Sequence, residues 1–433
     1  TLIPLLFALL HSSGALHLGA LQRLDDLIYD ARLNATMPRT LDERVVIVDI
    51  DEKSLAEVGR WPWGRDKVAA VVNELFARQK IVLIGFDVVF AEADESSGFK
   101  RLQQLAQDEL RDNPAFTEKL AKLQNTLDYD AQFAQALSQR PVVLGYYLTS
   151  DQQGRKSGVL PAPVMQREAL QGRPIPFTRW DGYGSNIEIL AKAAPRAGFF
   201  NSLTDGDGVV RSIPLLSEHQ GQYYESLSLA MFRLLVGEPQ VEPGFPQEKI
   251  LSRNYQGLES ILLRQNSSTL AIPVDDRVAT LVPFRGPGGV AGGSYRYISA
   301  SDILNGRLPA NTLQDKIVLV GTTAPGLLDL RVTPVGEVYP GVETHANVIS
   351  GLLDGRVFVK PDYAVGYDVL VLLLAGLVLA FALPALTAVR AVALSAAVVT
   401  AIVGLNFWLY LGYGLVLPLG TALVMAVTAF ALN

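Results

Sequence analysis

The chain has 433 residues and a formal charge of −6, and it is 49% hydrophobic but only 18% charged, against ~25% charged for an average soluble protein. It contains no cysteine, which excludes disulfides, thiolate nucleophiles and thiolate metal sites, and its mild acidity gives no footprint for nucleic acid. Residues 1–22, 369–389 and 391–433 carry no charge at all, which excludes a simple soluble enzyme and a polytopic transporter and leaves a large water-facing middle bracketed by membrane helices.

In chain order, residues 1–20 read as a first membrane helix. It is expected to be incomplete, because the chain opens on Thr1 rather than Met. A cleaved signal peptide is the rival reading. Leu21, Leu24, Leu27, Ile28 and Ala31 fall on one helical face, so the span is expected to continue as an amphipathic stalk over 21–40. Residues 45–50 are a short apolar strand. A helical pattern follows from Arg65 through Val68, Val71, Val72, Leu75 and Phe76, and residues 81–86 form a second strand. Strand, helix and strand at this spacing predict a βαβ unit, and strands apolar throughout predict burial on both faces. Residues 141–147 and 316–321 look like further central strands. The expected fold is therefore α/β, with a mostly parallel sheet in a soluble domain over 41–362.

Two kinds of excursion interrupt that core. Residues 98–138 are helical and charge-rich, with Phe116, Leu120, Leu123 and Leu127 on one apolar face. Residues 196–216 read as strand, turn and strand around Asp205-Gly-Asp-Gly208, and 250–298 as several short strands. Three further spans of about 20 residues are expected over 366–387, 390–411 and 413–433, completing an all-α membrane domain of four spans. Arg390 is their only cation, and the positive-inside tendency puts its loop in the cytoplasm and the middle domain outside. Small residues from Ala393 to Gly404 either let helices of two copies approach or pack within one chain.

Parallel sheets present ligands at the carboxyl ends of their strands. Those ends carry Asp49, Asp51 and Asp87, with Asp329 and Arg331 beyond a later strand. Such carboxylates either hold a hard cation, with Asp51 and Asp87 as its ligands, or cap helices and turns and pair with Arg65 or Arg331. Trp61 and Trp63, just ahead of Arg65, either line a ligand pocket or seal a helix against the sheet. Asp205-Gly-Asp-Gly208 lacks the glutamate a calcium loop needs, because that position is Pro214. Gly286-Pro-Gly-Gly289 lacks the Gly-Lys-Ser/Thr ending of a phosphate loop. Glu343 and His345 lie two apart without a nucleophile beside them, so no catalytic residue is assigned.

Taken in order, these segments resemble the CHASE2 domain, a sensory module of bacterial transmembrane receptors. The resemblance is carried by Leu24-Asp-Asp-Leu-Ile-Tyr-Asp30, by Val48-Asp-Ile-Asp-Glu-Lys-Ser-Leu55 with Gly59-Arg-Trp-Pro-Trp-Gly-Arg65, and by Gly85-Phe-Asp-Val-Val-Phe90. It continues through Asp205-Gly-Asp-Gly-Val-Val-Arg211, Lys316-Ile-Val-Leu-Val-Gly-Thr322, Asp329 with Thr333-Pro334, and Tyr339-Pro-Gly-Val-Glu-Thr-His-Ala346. Two departures stand out: Arg78-Gln79 replaces a usual Gly-Ala turn, and the excursion over 98–128 is longer than expected.

The resemblance implies an extracytoplasmic sensor in the bacterial inner membrane, facing the periplasm or the outside. A cytoplasmic output domain is expected beyond Asn433. A class III adenylate cyclase making cAMP from ATP with Mg or Mn comes first, and a histidine kinase, Ser/Thr kinase or diguanylate cyclase are alternatives. No cofactor is expected in this chain itself. The expected partners are a second copy, membrane lipid, and an unidentified ligand or envelope protein. Ligand contacts are expected at Asp49, Asp51, Trp61, Trp63, Arg65, Asp87, Asp329 and Arg331. A metal-dependent envelope enzyme and a partner-binding scaffold are the readings from other classes.

Overall fold

The computed structural model describes residues 2–16, 18–151, 153–246, 257–324, 326, 329–361 and 363–432. Six parallel strands form the centre: β1 (Val45–Ile50), β2 (Leu83–Phe86), β3 (Val142–Thr149), β4 (Ala197–Phe199), β5 (Arg296–Ser299) and β6 (Ile317–Thr322). Their order is β5-β1-β6-β2-β3-β4, and every neighbouring pair is parallel. Val48 is in register with Val320, and Val320 with Phe86.

The unbroken apolar runs follow from this position. Val46, Val48, Ile84, Phe86, Val318 and Val320 point to one face, toward the helices Arg65–Ala77 and Tyr129–Leu137. Val45, Ile47, Leu83, Ile317 and Leu319 point to the other, toward Leu227–Leu235 and Gly341–Leu353. Successive strand residues face opposite sides, so a sheet covered by helices on both sides needs an apolar residue at every position. Gly85 of β2 is the exception that fits the packing: a Cβ there would lie 2.1 Å from Met231 Sδ.

The 98–138 excursion divides into three helices. Phe99–Gln107 and Pro114–Leu127 lie outermost, and Tyr129–Leu137 belongs to the core. The expected apolar face of Pro114–Leu127 is covered at Leu120, but Leu123 is 47% exposed. The stretch read as short strands contains Ser260–Gln265, Ser268–Pro273, Ala279–Leu281 and β5. Its residues 250–256 lie outside the described residues.

Among the described residues two helices are long and apolar enough to cross a membrane: Ala364–Ala385, whose last turn is 3₁₀, and Ala388–Tyr413. Leu2–Ser12 and Gly420–Ala431 are apolar but span 11 and 12 residues, a rise of ~16–18 Å. That is shorter than a hydrocarbon core of ~30 Å. The helix expected to run unbroken from the first span into the stalk is interrupted after Ser12, with Gly14 at φ 77°. The stalk is a separate helix, Gly19–Thr36. The last expected span also starts late. Gly414, at φ 67°, ends the preceding helix, and the next segment runs extended, with Val416 N–H bonded to the Val359 carbonyl, until Gly420. A left-handed glycine is the common way to stop a helix.

Candidate functional site

The carboxyl ends of the strands hold three separate groups of the expected site residues. The first surrounds β1. Asp51 caps the helix Glu52–Val58: its Oδ1 accepts the Ser54 N–H at 2.8 Å and the Ser299 hydroxyl at 2.8 Å. Asp49 is buried and accepts the Thr323 N–H at 3.0 Å and the Thr323 hydroxyl at 2.6 Å. Burial pushes the Asp49 carboxyl up to about 6; the Thr323 hydrogen bonds oppose that rise, and the charge of Asp51 adds to it.

A pH signature follows. The folded-state pKa of Asp49 lies above the ordinary 3.8, so the folded chain holds this proton more tightly than the unfolded chain. The associated stability is fully present below about 3.8 and is lost as pH rises through about 6. Asp49→Asn should therefore raise stability by ~1–3 kcal/mol at pH 8 and flatten the slope between pH 4 and 6. Thermal unfolding across that range checks both effects.

The second group surrounds β2. The Asp87 side chain is buried, with Oδ1 4.0 Å from His345 Nε2. Burial, and then the nearby Asp329, raise its pKa well above the carboxylate range, while Arg331 opposes. Asp329 and Arg331 are an ion pair, each about a third exposed. His345 Nδ1 lies 2.7 Å from Ser228 Oγ, and burial lowers the His345 pKa to about 4, so the ring is neutral at neutral pH. Serine, histidine and aspartate meet here, but Ser228 is 0% exposed and the carboxylate is beyond hydrogen-bond reach of the ring. The hydroxyl cannot attack an external substrate.

The third group holds Trp61, Trp63 and Arg65. The two indoles meet edge to face at 5.5 Å, and Trp63 Nε1 donates to the Gly59 carbonyl at 2.8 Å. Arg65 is buried, with its guanidinium 4.6 Å from the Phe90 ring centroid and its Nε 3.8 Å from Asp130. Its own N–H donates to Asp94 at 2.5 Å. This arrangement seals the helix Arg65–Ala77 against the sheet. Asp51 and Asp87 therefore stand in different groups. Among the described residues no three His, Asp or Glu side chains are placed to hold a metal.

A second constellation lies where the stalk meets the apolar helices. Asp30 of the stalk accepts Arg211 Nε at 2.8 Å and Nη2 at 2.7 Å. Arg211 also donates to Asp205 at 3.0 Å and to Asp207 at 2.8 Å, and it is 2% exposed. The Asp205-Gly-Asp-Gly turn is thus one half of a carboxylate clamp, and the stalk is the other. Burial opposes the charge on Arg211, but hydrogen bonds to Asp30, Asp207 and Asp205 outweigh it and raise its pKa.

The same stalk helix also grips the carboxyl-terminal helices. Asp25 Oδ1 accepts the N–H groups of Leu419 and Gly420, each at 2.7 Å, and so satisfies the start of Gly420–Ala431 from another segment. Arg32 donates to the side chain of Asn406, and its guanidinium sits 5.1 Å from the Tyr410 ring. Asn406 in turn donates to the carbonyls of Leu417 and Pro418. Phe358 stacks on Tyr410 at 5.1 Å, and Lys360 Nζ lies 3.8 Å from Asp26. Tyr29 and Leu33 share one hydrophobic core with Ile213, Phe284, Leu352, Tyr410 and Val416. One packed unit therefore spans the β-rich part of the soluble domain, the stalk and the ends of the apolar helices.

Residue-level reading of the sequence missed Asp25, Arg32, Asn406 and Tyr410 as a group. Two signals pointed there: Asn406 is the one strongly polar residue of its apolar run, and acidic Asp25, Asp26 and Asp30 share the stalk with Arg32.

The sequence thus folds as a parallel sheet between two helix layers, joined through a stalk helix to long apolar helices. The model of the CHASE2 domain matches residues 3–382, and the chain belongs to that family. CHASE2 is an extracytoplasmic sensor domain, and extracellular sensing is the activity it carries. No curated protein and no solved structure matches the chain.

Proposed function

We propose that this chain is the sensing and membrane portion of a bacterial receptor that controls a cytoplasmic output domain following its last helix. The output we favour is a class III adenylate cyclase, which converts ATP to cAMP with Mg or Mn and completes its active site between two catalytic domains. The working unit is then a homodimer. A histidine kinase, Ser/Thr kinase or diguanylate cyclase output would use the same sensor. In this reading the apolar helices make four passes through the inner membrane, with the α/β domain on the outer side.

The observation that carries the reading is the shared junction. Arg211 ties the sensor domain to the stalk, and Asp25 and Arg32 tie the stalk to the carboxyl-terminal helices. A ligand or envelope partner enters through the partly exposed Asp329 and Arg331, beside the buried Asp87. It acts by binding one arrangement of the domain more tightly than another. The shift reaches the helices because they pack in the same core.

The topology is testable directly, because the chain has no native cysteine. In intact cells a thiol placed by Lys122→Cys, on a side chain 72% exposed, should react with a membrane-impermeant maleimide. One placed by Arg390→Cys should react only after permeabilisation. The reverse pattern would overturn the proposed orientation.

A further inference from the structure

We propose that the cleft between the start of the stalk, the turn over 204–207 and Lys360 is a site for an aminophospholipid headgroup, a phosphate–ammonium zwitterion. The cleft encloses about 480 Å³ and is lined by Arg23, Asp26, Asp205, Asp207, Arg277 and Lys360, among others. That volume falls within the ~300–1,000 Å³ of small-molecule sites. Its position rests on the membrane reading above: Gly19 opens the stalk after the apolar helix Leu2–Ser12, and Lys360 precedes the apolar helix at Ala364. The cleft then opens at headgroup level.

Its charges are distributed in an unusual way. Among the described residues the guanidinium groups of Arg23 and Arg277 form no ion pair, although both line the cleft, and Arg277 only lowers the pKa of neighbouring Asp275 through its charge. Two guanidinium groups outside any ion pair suit a phosphate, whose oxygens they can engage in pairs. On the opposite wall Asp205 and Asp207 share Arg211 with Asp30, so three carboxylates surround one cation. The excess negative charge suits an ammonium group. A primary ammonium donates N–H bonds to those carboxylates, whereas a choline group has none to donate. A headgroup without an amine leaves the excess charge unanswered. Phosphatidylethanolamine satisfies both walls.

The test uses the purified chain in nanodiscs containing equal amounts of phosphatidylethanolamine, phosphatidylcholine and phosphatidylglycerol, with retained lipid read by native mass spectrometry. The wild type should retain the ethanolamine lipid about tenfold over the others, as expected for loss of one charged hydrogen-bonded pair. The double variant Arg23→Gln/Arg277→Gln should lose that preference while melting at the wild-type temperature, since both side chains are exposed and in no ion pair. Equal retention of the three lipids, or a preference unchanged in the variant, would overturn the proposal. Displacement of the lipid by an equal concentration of soluble phosphoethanolamine would assign the cleft to a free zwitterion and overturn the lipid assignment. Carbonate extraction separates the underlying reading: a chain that stays in the membrane without lipid preference ends this inference alone, and a chain that is extracted ends both.

Discussion

Replacing Arg211 with methionine should lower the unfolding free energy by ~3–5 kcal/mol, the usual cost of removing one partner from a buried ion pair. The side chain is 2% exposed, and it is the cation shared by Asp30, Asp205 and Asp207. Methionine fills similar space but leaves three carboxylates facing one another. The pH dependence should change as well. A hydrogen bond to Arg211 is the main cause that holds the Asp207 pKa below 3.8. Its contribution to wild-type stability is present above that ordinary value and is lost as pH falls through the lower folded-state value. The variant should lack this acid-side loss and gain stability on acidification, because its unpaired carboxylates become neutral. Thermal unfolding in detergent between pH 3 and 8 reads both the size and the slope. A variant as stable as wild type at pH 7 would show that the clamp does not hold the stalk.

The second large effect is in the sheet core. Phe133→Ala should cost ~3–5 kcal/mol. Phe133 is 0% exposed and meets Phe90 at 4.9 Å and Phe86 at 6.0 Å, both edge to face. It comes from the end of the charge-rich excursion, so the loss would show that the Tyr129–Leu137 helix is structural. Leu123→Ala, ten residues earlier on a side chain 47% exposed, should change stability by less than ~0.5 kcal/mol. Similar losses at the two positions would mean that the outer helices are packed as firmly as the inner one.

These contrasts show what the sequence makes legible. The strands β1, β2, β3 and β6 stand out because burial on both faces leaves uninterrupted apolar runs, and the shared direction of β1 and β2 follows from the helical stretch between them. For β4 the sequence shows a strand beside the Asp205 turn but not its place in the central sheet, since Ala197–Phe199 is three residues held by its register with Leu144 and Tyr146. The interruption after Ser12 is equally silent, because Leu2–Ser12 and the stalk are apolar on faces that would also suit one continuous helix. Asp51 illustrates a different limit. A carboxylate at a strand end is read equally well as a ligand or as a helix cap, and only the position of Ser54 N–H shows the cap.

The junction was the least legible part. Asp30 and Arg211 are 181 residues apart, and Arg32 and Asn406 are 374 apart. No local pattern encodes such pairs. The segments that contain Asp30 and Arg211 were visible as family motifs, but their meeting is a property of the fold. The same holds for Asp25, whose capped helix begins far along the chain at Gly420.

The account's central claim is that the stalk, held by Arg211, carries the state of the sensor domain to the output. Asp30→Asn tests it with little damage to the fold, because Arg211 keeps Asp205 and Asp207 while its bond to the stalk loses a charge. The direct measurement is the output activity of the full-length receptor in native membranes, normalised to inserted protein. The account predicts a change of about fivefold or more between wild type and Asp30→Asn, the size of a coupling near 1 kcal/mol. Activity equal to wild type, at equal insertion, would contradict it.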